Sequence, residues 1–191
     1  MAEPKSRLPS LRTLAIWIVV LAIPFTPWYV AHAQRLKAEH LAEPIAKRLT
    51  NRDIDVKCPG LFGKVLYEIH EGSVQFDADG VPANETKLSK KTCAGLRTVA
   101  SDAPSLDFGC LATVCGRDAQ RAAEAIAVLT HEIMHLRGSL DEGITECLAR
   151  GRVEEVGLQM GISPASAAAL KQWQSTTWQE RLPDRYRNAS C

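Results

Sequence analysis

Apolar residues in the second half of the chain recur at three- and four-residue steps. Ala122, Ala123, Ile126, Leu129, Ile133 and Leu136 fall on one face of a helix. The stretch is rich in alanine, the best helix former. The pattern predicts a strong helix beginning near Arg117, with Asp118 as N-cap and Gly138 placed for a left-handed C-cap. A second helix should follow at once, from about residue 140 to 157, with Ser139 and Glu142 spaced as a capping box. A third should open with Ser163 as N-cap and Pro164 in its first turn, then run to about Arg181. Trp173 and Trp178 on it are expected to pack against the domain, and the tail after it to be irregular.

The first half reads differently. Residues 64–70 and 72–77 alternate apolar and polar, the period of a strand. Glu71-Gly72 between them suggests a hairpin. Asp77-Ala78-Asp79-Gly80 reads as a turn, because it lacks the later ligands of a calcium loop. Leu88 to Ala100 should be helical, and residues 34–50 a polar helix that Pro44 bends or restarts. Together these elements predict an α+β fold: a short antiparallel β-sheet and a helical core that includes a helix hairpin.

Composition refines this picture at the N-terminus. Leu14 to Ala31 carries no charge and follows Lys5, Arg7 and Arg12. That length just spans a bilayer, with Trp28 and Tyr29 at the far interface. The expected arrangement is a single-pass signal-anchor in residues 1–33, a juxtamembrane helical linker in 34–57 and an extracytoplasmic domain in 58–191. The alternative is a secreted protein cleaved near Ala33, after the small-x-small triplet Ala31-His32-Ala33. All six cysteines follow this segment, which suggests disulfides in an exported domain. Cys110 and Cys115 could close a small loop, and Cys191 could pin the tail. The net charge of +1, with basic residues scattered among acids, gives no basis for binding nucleic acid. Oligomeric state is not legible in the sequence.

The candidate chemistry lies at the end of the first strong helix. His131-Glu132-Ile133-Met134-His135 is an H-E-x-x-H pattern. On a helix the two histidines share a face, about 6 Å apart along the axis, and can grip one metal ion. Glu132 lies beside them as a candidate general base for metal-assisted hydrolysis. A catalytic zinc needs a third protein ligand and an open position. Asp141, Glu142 and Glu146 are the candidates. With only a short turn at Gly138 to Leu140, the two helices should form an antiparallel hairpin. That places Glu142 level with His135, as a metal ligand. Glu146 falls level with His131, where it can accept the other ring N–H of a ligating histidine.

HEIMH followed by a helix carrying Glu resembles the gluzincin zinc metallopeptidases. Asp141-Glu142-Gly143-Ile144-Thr145-Glu146 is similar to the Asn-Glu-x-x-Ser-Asp phrase of their thermolysin-like members. The resemblance spans about residues 125–150, with a much shorter gap between the two motifs and Glu in place of Asp at 146. It implies a small zincin-like domain with Zn2+ on His131, His135 and Glu142, Glu132 as base, and a peptide or protein substrate. HEIMHLRGSLD also resembles the metzincin pattern H-E-x-x-H-x-x-G-x-x-Asp, which implies Asp141 as third ligand. No His or Tyr is singled out to stabilise an oxyanion. The expected function is a membrane-tethered zinc metallopeptidase. The alternative is a catalytically silent, metal-stabilised binding or assembly domain on the outer membrane face.

Overall fold

The computed structural model describes residues 25–60 and 71–187. They form a mixed α+β fold arranged around one long helix. Helix α1 is Phe25–Thr50. Strands β1 (Asp55–Lys57), β2 (Gly72–Phe76) and β3 (Pro82–Leu88) follow, and then α2 (Lys90–Asp102). The central helix α3 is Arg117–Leu136, and α4 is Glu142–Gln159. Helix α5 (Pro164–Trp173) runs into a π turn, Gln174–Trp178. The short helices α6 (Gln179–Arg181) and α7 (Asp184–Arg187) complete the described chain.

The apolar face expected of α3 is present, but its second half goes further. From Ala125 to Leu136 every residue is buried. The reason is that α1, α2, α4 and the sheet all pack on this helix. A helix surrounded in this way buries its polar positions too, and those here are Thr130, His131, Glu132 and His135. The N-cap is Gly116, with Asp118 inside the first turn instead of capping it. The C-terminal end closes as expected, with Gly138 at φ +99°. The Ser139 N–H donates to the Met134 carbonyl at 3.3 Å, and the Gly138 N–H to that of His135 at 2.8 Å. This is a Schellman turn. Arg52 adds a clamp: its guanidinium donates to the Leu136 carbonyl at 2.7 Å, to the Pro82 carbonyl at 2.6 Å and to Asn84 Oδ1. One side chain thus ties the end of α3 to the start of β3.

The sheet departs from expectation. Its order is β1-β3-β2, with β2 antiparallel and β1 parallel to β3. The hairpin turns at residues 77–81, where the Asp77 carboxylate accepts from the Asp79 and Val81 backbone N–H groups at 3.0 and 2.8 Å. Residues 64–70, expected as the partner strand, lie outside the described residues. Strand β3 was not expected from its sequence, Pro-Ala-Asn-Glu-Thr-Lys-Leu, whose alternation is carried by Pro82, Thr86 and Leu88. Thr86 is fully buried and paired opposite both Val56 and Val74. The pairing, not the residue's polarity, decides its place.

Pro44 does not interrupt α1, which runs through it at the loss of one intrahelical hydrogen bond. The stretch 34–57, expected as a linker, contributes Ala38, Ala42, Ile45 and Ala46 to the same core as α3. Most of the expected membrane segment falls in residues outside the description. None of the described helices is long and apolar enough to cross a membrane. Two disulfides, Cys58–Cys93 and the small loop Cys110–Cys115, are formed, and Cys147 is disulfide-bonded as well. Cys191 lies outside the described residues. Trp173 is buried in the core, with the Trp178 ring 5.2 Å from its own.

Helix α2 is capped by Ser89, whose Oγ accepts from the Thr92 N–H at 3.0 Å. It approaches α3 so closely at Gly95 that a Cβ there would lie 2.3 Å from the Arg121 carbonyl oxygen and 2.5 Å from the Ala125 Cβ. Backbone cannot yield as a side chain does. Gly95→Ala should therefore destabilise the domain by about 1–3 kcal/mol, the usual cost of overpacking. Urea denaturation checks this, and a midpoint at or above wild type would contradict it.

Candidate metal centre

The Schellman turn folds α4 back along α3, as the short connection predicted. Three side-chain atoms then converge. His131 Nε2 and His135 Nε2 are 3.0 Å apart. Glu142 Oε2 lies 3.0 Å from the first and 3.2 Å from the second. Glu142 thus bridges both histidines, where a position level with His135 alone was expected. Glu146 faces His131 as expected, its Oε2 at 3.1 Å from Nδ1. Asp141 takes a different part: its Oδ1 accepts from the Ile144 N–H at 2.8 Å, so it is the N-cap of α4. Ser139, expected to cap, instead accepts from the Thr145 hydroxyl at 2.7 Å.

The outer ring nitrogens fix the tautomers. Glu146 Oε2 is a carboxylate oxygen that accepts, so His131 Nδ1 donates. His135 Nδ1 lies 2.7 Å from the Ser139 carbonyl oxygen, which can only accept, so it donates too. In the neutral imidazoles both Nε2 lone pairs then aim into the triangle that Glu142 completes. Both Nδ1 atoms are thus engaged by acceptors behind the rings, the usual support of ligating histidines.

Electrostatics in the metal-free protein follow from this crowding. Hydrogen bonds from His131 and His135 hold the Glu142 carboxyl well below the usual range. Burial works to lower the His131 pKa, but hydrogen bonds to Glu142 and Glu146 outweigh it and raise the value to about 9. Burial pushes Glu132 up to about 7, against the attraction of His131 and His135 and with the repulsion of Glu142. Glu132 Oε2 is buried and has no hydrogen-bond partner. Its other oxygen lies under β2: a Cβ on Gly72 would sit 2.5 Å from Glu132 Oε1. A side chain at position 72 would have to displace the buried Glu132 carboxylate.

Several neighbours were not singled out from the sequence. Phe76 stands edge-on to His135, with ring centroids 6.0 Å apart. Tyr186 on α7 lies with its ring 5.6 Å from that of His131, and Arg185 donates to its hydroxyl at 3.1 Å. Gln174 and Gln179 both reach Glu146. All four come from segments distant in sequence, and only non-local packing brings them here. No motif marks them, and the strand period that includes Phe76 says nothing of its place beside His135. Ser139 had a signal, since a left-handed glycine at 138 aims the next carbonyl back at the helix end.

The three converging atoms can be compared with what a metal requires. A tetrahedral zinc with bonds of about 2.0–2.2 Å keeps its ligands roughly 3.3 Å apart. The observed spacings of 3.0, 3.0 and 3.2 Å are close to that. Two imidazoles and one carboxylate are borderline donors suited to zinc. They do not suit calcium, which takes more ligands, all oxygen. His131, His135 and Glu142 are thus a group that could hold a metal ion. Searches of protein-family models, curated proteins and solved structures find no match to this chain.

A metal entering this site displaces the proton that His131 otherwise holds. Apparent zinc affinity should rise by about tenfold per pH unit between about pH 6 and 8. The same proton acts oppositely on the metal-free fold. Since the folded pKa is raised from 6.5 to about 9, its stabilisation is full below 6.5 and lost as pH rises through 9. Chelator-competition titrations across that range check the first expectation, and a pH-independent affinity would contradict it.

Proposed function

We propose that this chain is a membrane-tethered, exported zinc hydrolase, most specifically a gluzincin-like metallopeptidase acting on peptide or protein substrates. The observation that carries the reading is a pairing. An open three-atom cluster of His131, His135 and Glu142 stands beside a buried carboxylate, Glu132, with an unpartnered oxygen. A structural zinc site is ordinarily closed by four protein ligands. Among the described residues, this cluster offers three. A silent binding domain has no use for an unsatisfied carboxylate in that position, whose burial costs stability. The tether rests on the uncharged stretch 14–31 of the sequence. Glu142 in the triangle, with Asp141 occupied as a cap, favours the gluzincin reading over the metzincin one.

Each residue then has a task. His131, His135 and Glu142 would hold the zinc, and Glu146 and the Ser139 carbonyl orient the two rings. Bound there, zinc supplies a Lewis acid that polarises the scissile carbonyl and acidifies water. Glu132 accepts a proton from the attacking water and delivers it to the nitrogen of the departing amine, so it ends as it began. Among the described residues, β2 pairs on one side only, with β3. The face of β2 covers Glu132 at Gly72, and an extended peptide adding to the strand's other edge would run close to that carboxylate. Tyr186 walls one face of His131.

Glu132→Gln keeps the shape and removes the base. It should retain zinc while lowering peptide hydrolysis by about 10²–10⁴-fold. His131→Ala should lose both. Zinc content and cleavage of a mixed peptide library, read on the same preparations, check this. Hydrolysis undiminished in Glu132→Gln would refute the mechanism. Zinc bound by a wild-type protein that cleaves nothing would favour the assembly-domain alternative.

A further inference from the structure

Glu146 is almost wholly buried, yet its second oxygen is as fully engaged as the first. Oε2 accepts from His131 Nδ1 at 3.1 Å. Oε1 accepts from Gln174 Nε2 at 3.2 Å and from Gln179 Nε2 at 2.8 Å. The two amides are five residues apart. On an α-helix, side chains five apart point about 140° away from one another and cannot meet on one atom. Between them lies the π turn Gln174–Trp178. Its i→i+5 repeat stacks residues five apart on the same side. The irregularity is therefore what lets both side chains reach one carboxylate oxygen.

This arrangement carries a cost that simple packing does not explain. Gln174 is fully buried, and its own Oε1 has no partner. Turning the amide over would set that oxygen against the carboxylate, so Glu146 dictates its orientation. A hydrophobic residue would fill the space without leaving a buried acceptor unpaired.

We propose that the π turn is a positioning clamp for the metal centre. Gln174 and Gln179 fix the Glu146 carboxylate, which fixes the His131 ring and aims its Nε2 at the ion. The inference rests on the zinc-site reading above and adds to it a part of the chain remote from both motifs. Gln174 and Gln179 touch neither metal nor substrate. They act through Glu146, and without them that carboxylate can rotate away from Nδ1.

The test uses the full chain and zinc itself. Gln179→Leu and Gln174→Met each remove one donor at nearly constant volume. Each should weaken zinc by about tenfold, at the low end for losing an outer hydrogen-bonding partner of a ligand. Each should also change the visible absorption of the cobalt-substituted protein, a readout that a merely structural role would not move. Gln179→Lys keeps a donor and should bind zinc within about threefold of wild type. If Gln174→Met does not fold, the partly exposed Gln179 pair carries the test alone. Zinc affinity and cobalt spectra unchanged in the Leu and Met variants overturn the clamp while leaving the metal centre standing. A wild-type chain that binds no zinc overturns the metal centre, and the clamp with it.

Discussion

Five ionisable side chains occupy one seam between two helices, and burying them is the constraint the rest of the domain answers to. His131, Glu132 and His135 come from α3, and Glu142 and Glu146 from α4. Isolated charges in such a place would be prohibitively costly. For all but Glu132 the cost is met by pairing: carboxylate to imidazole, imidazole to carbonyl, carboxylate to amide. Every element around the seam supplies either a partner or a wall. The sheet covers Glu132, the π turn and α6 support Glu146, and α2 packs closely against α3.

What the sequence made legible was local. The period of α3, the left-handed glycine after it and the motif at its end are all written within a few turns of chain. The short connection forces a hairpin, and a hairpin forces the acids of α4 opposite the histidines of α3. Register within the hairpin was less certain. A level placement put Glu142 beside His135, but a glutamate side chain is long enough to reach both rings. The cap of α4 is Asp141, not Ser139, for a related reason. Ser139 and Asp141 both suit an N-cap, and the Schellman turn uses up Ser139 before the helix begins.

What was not legible depended on distance. Strand β3 is mostly polar, and its identity comes from lying between β1 and β2, separated from β1 by two dozen residues. The alternation that marks a strand fails when a buried position is Thr86. The π turn is equally silent, because nothing in Gln-Ser-Thr-Thr-Trp distinguishes it from ordinary helix. Both features show tertiary context overriding local preference.

The two histidines are supported by different kinds of partner. His131 leans on a side chain, Glu146, while His135 leans on the main-chain carbonyl of Ser139. No substitution at position 139 can delete a carbonyl oxygen, so that half of the support is insulated from side-chain changes at the residue that supplies it. The other half is open to it. Variation in this protein can therefore adjust the basicity and aim of one imidazole while the other stays constant. That makes His131 the tunable ring of the cluster and His135 the anchored one.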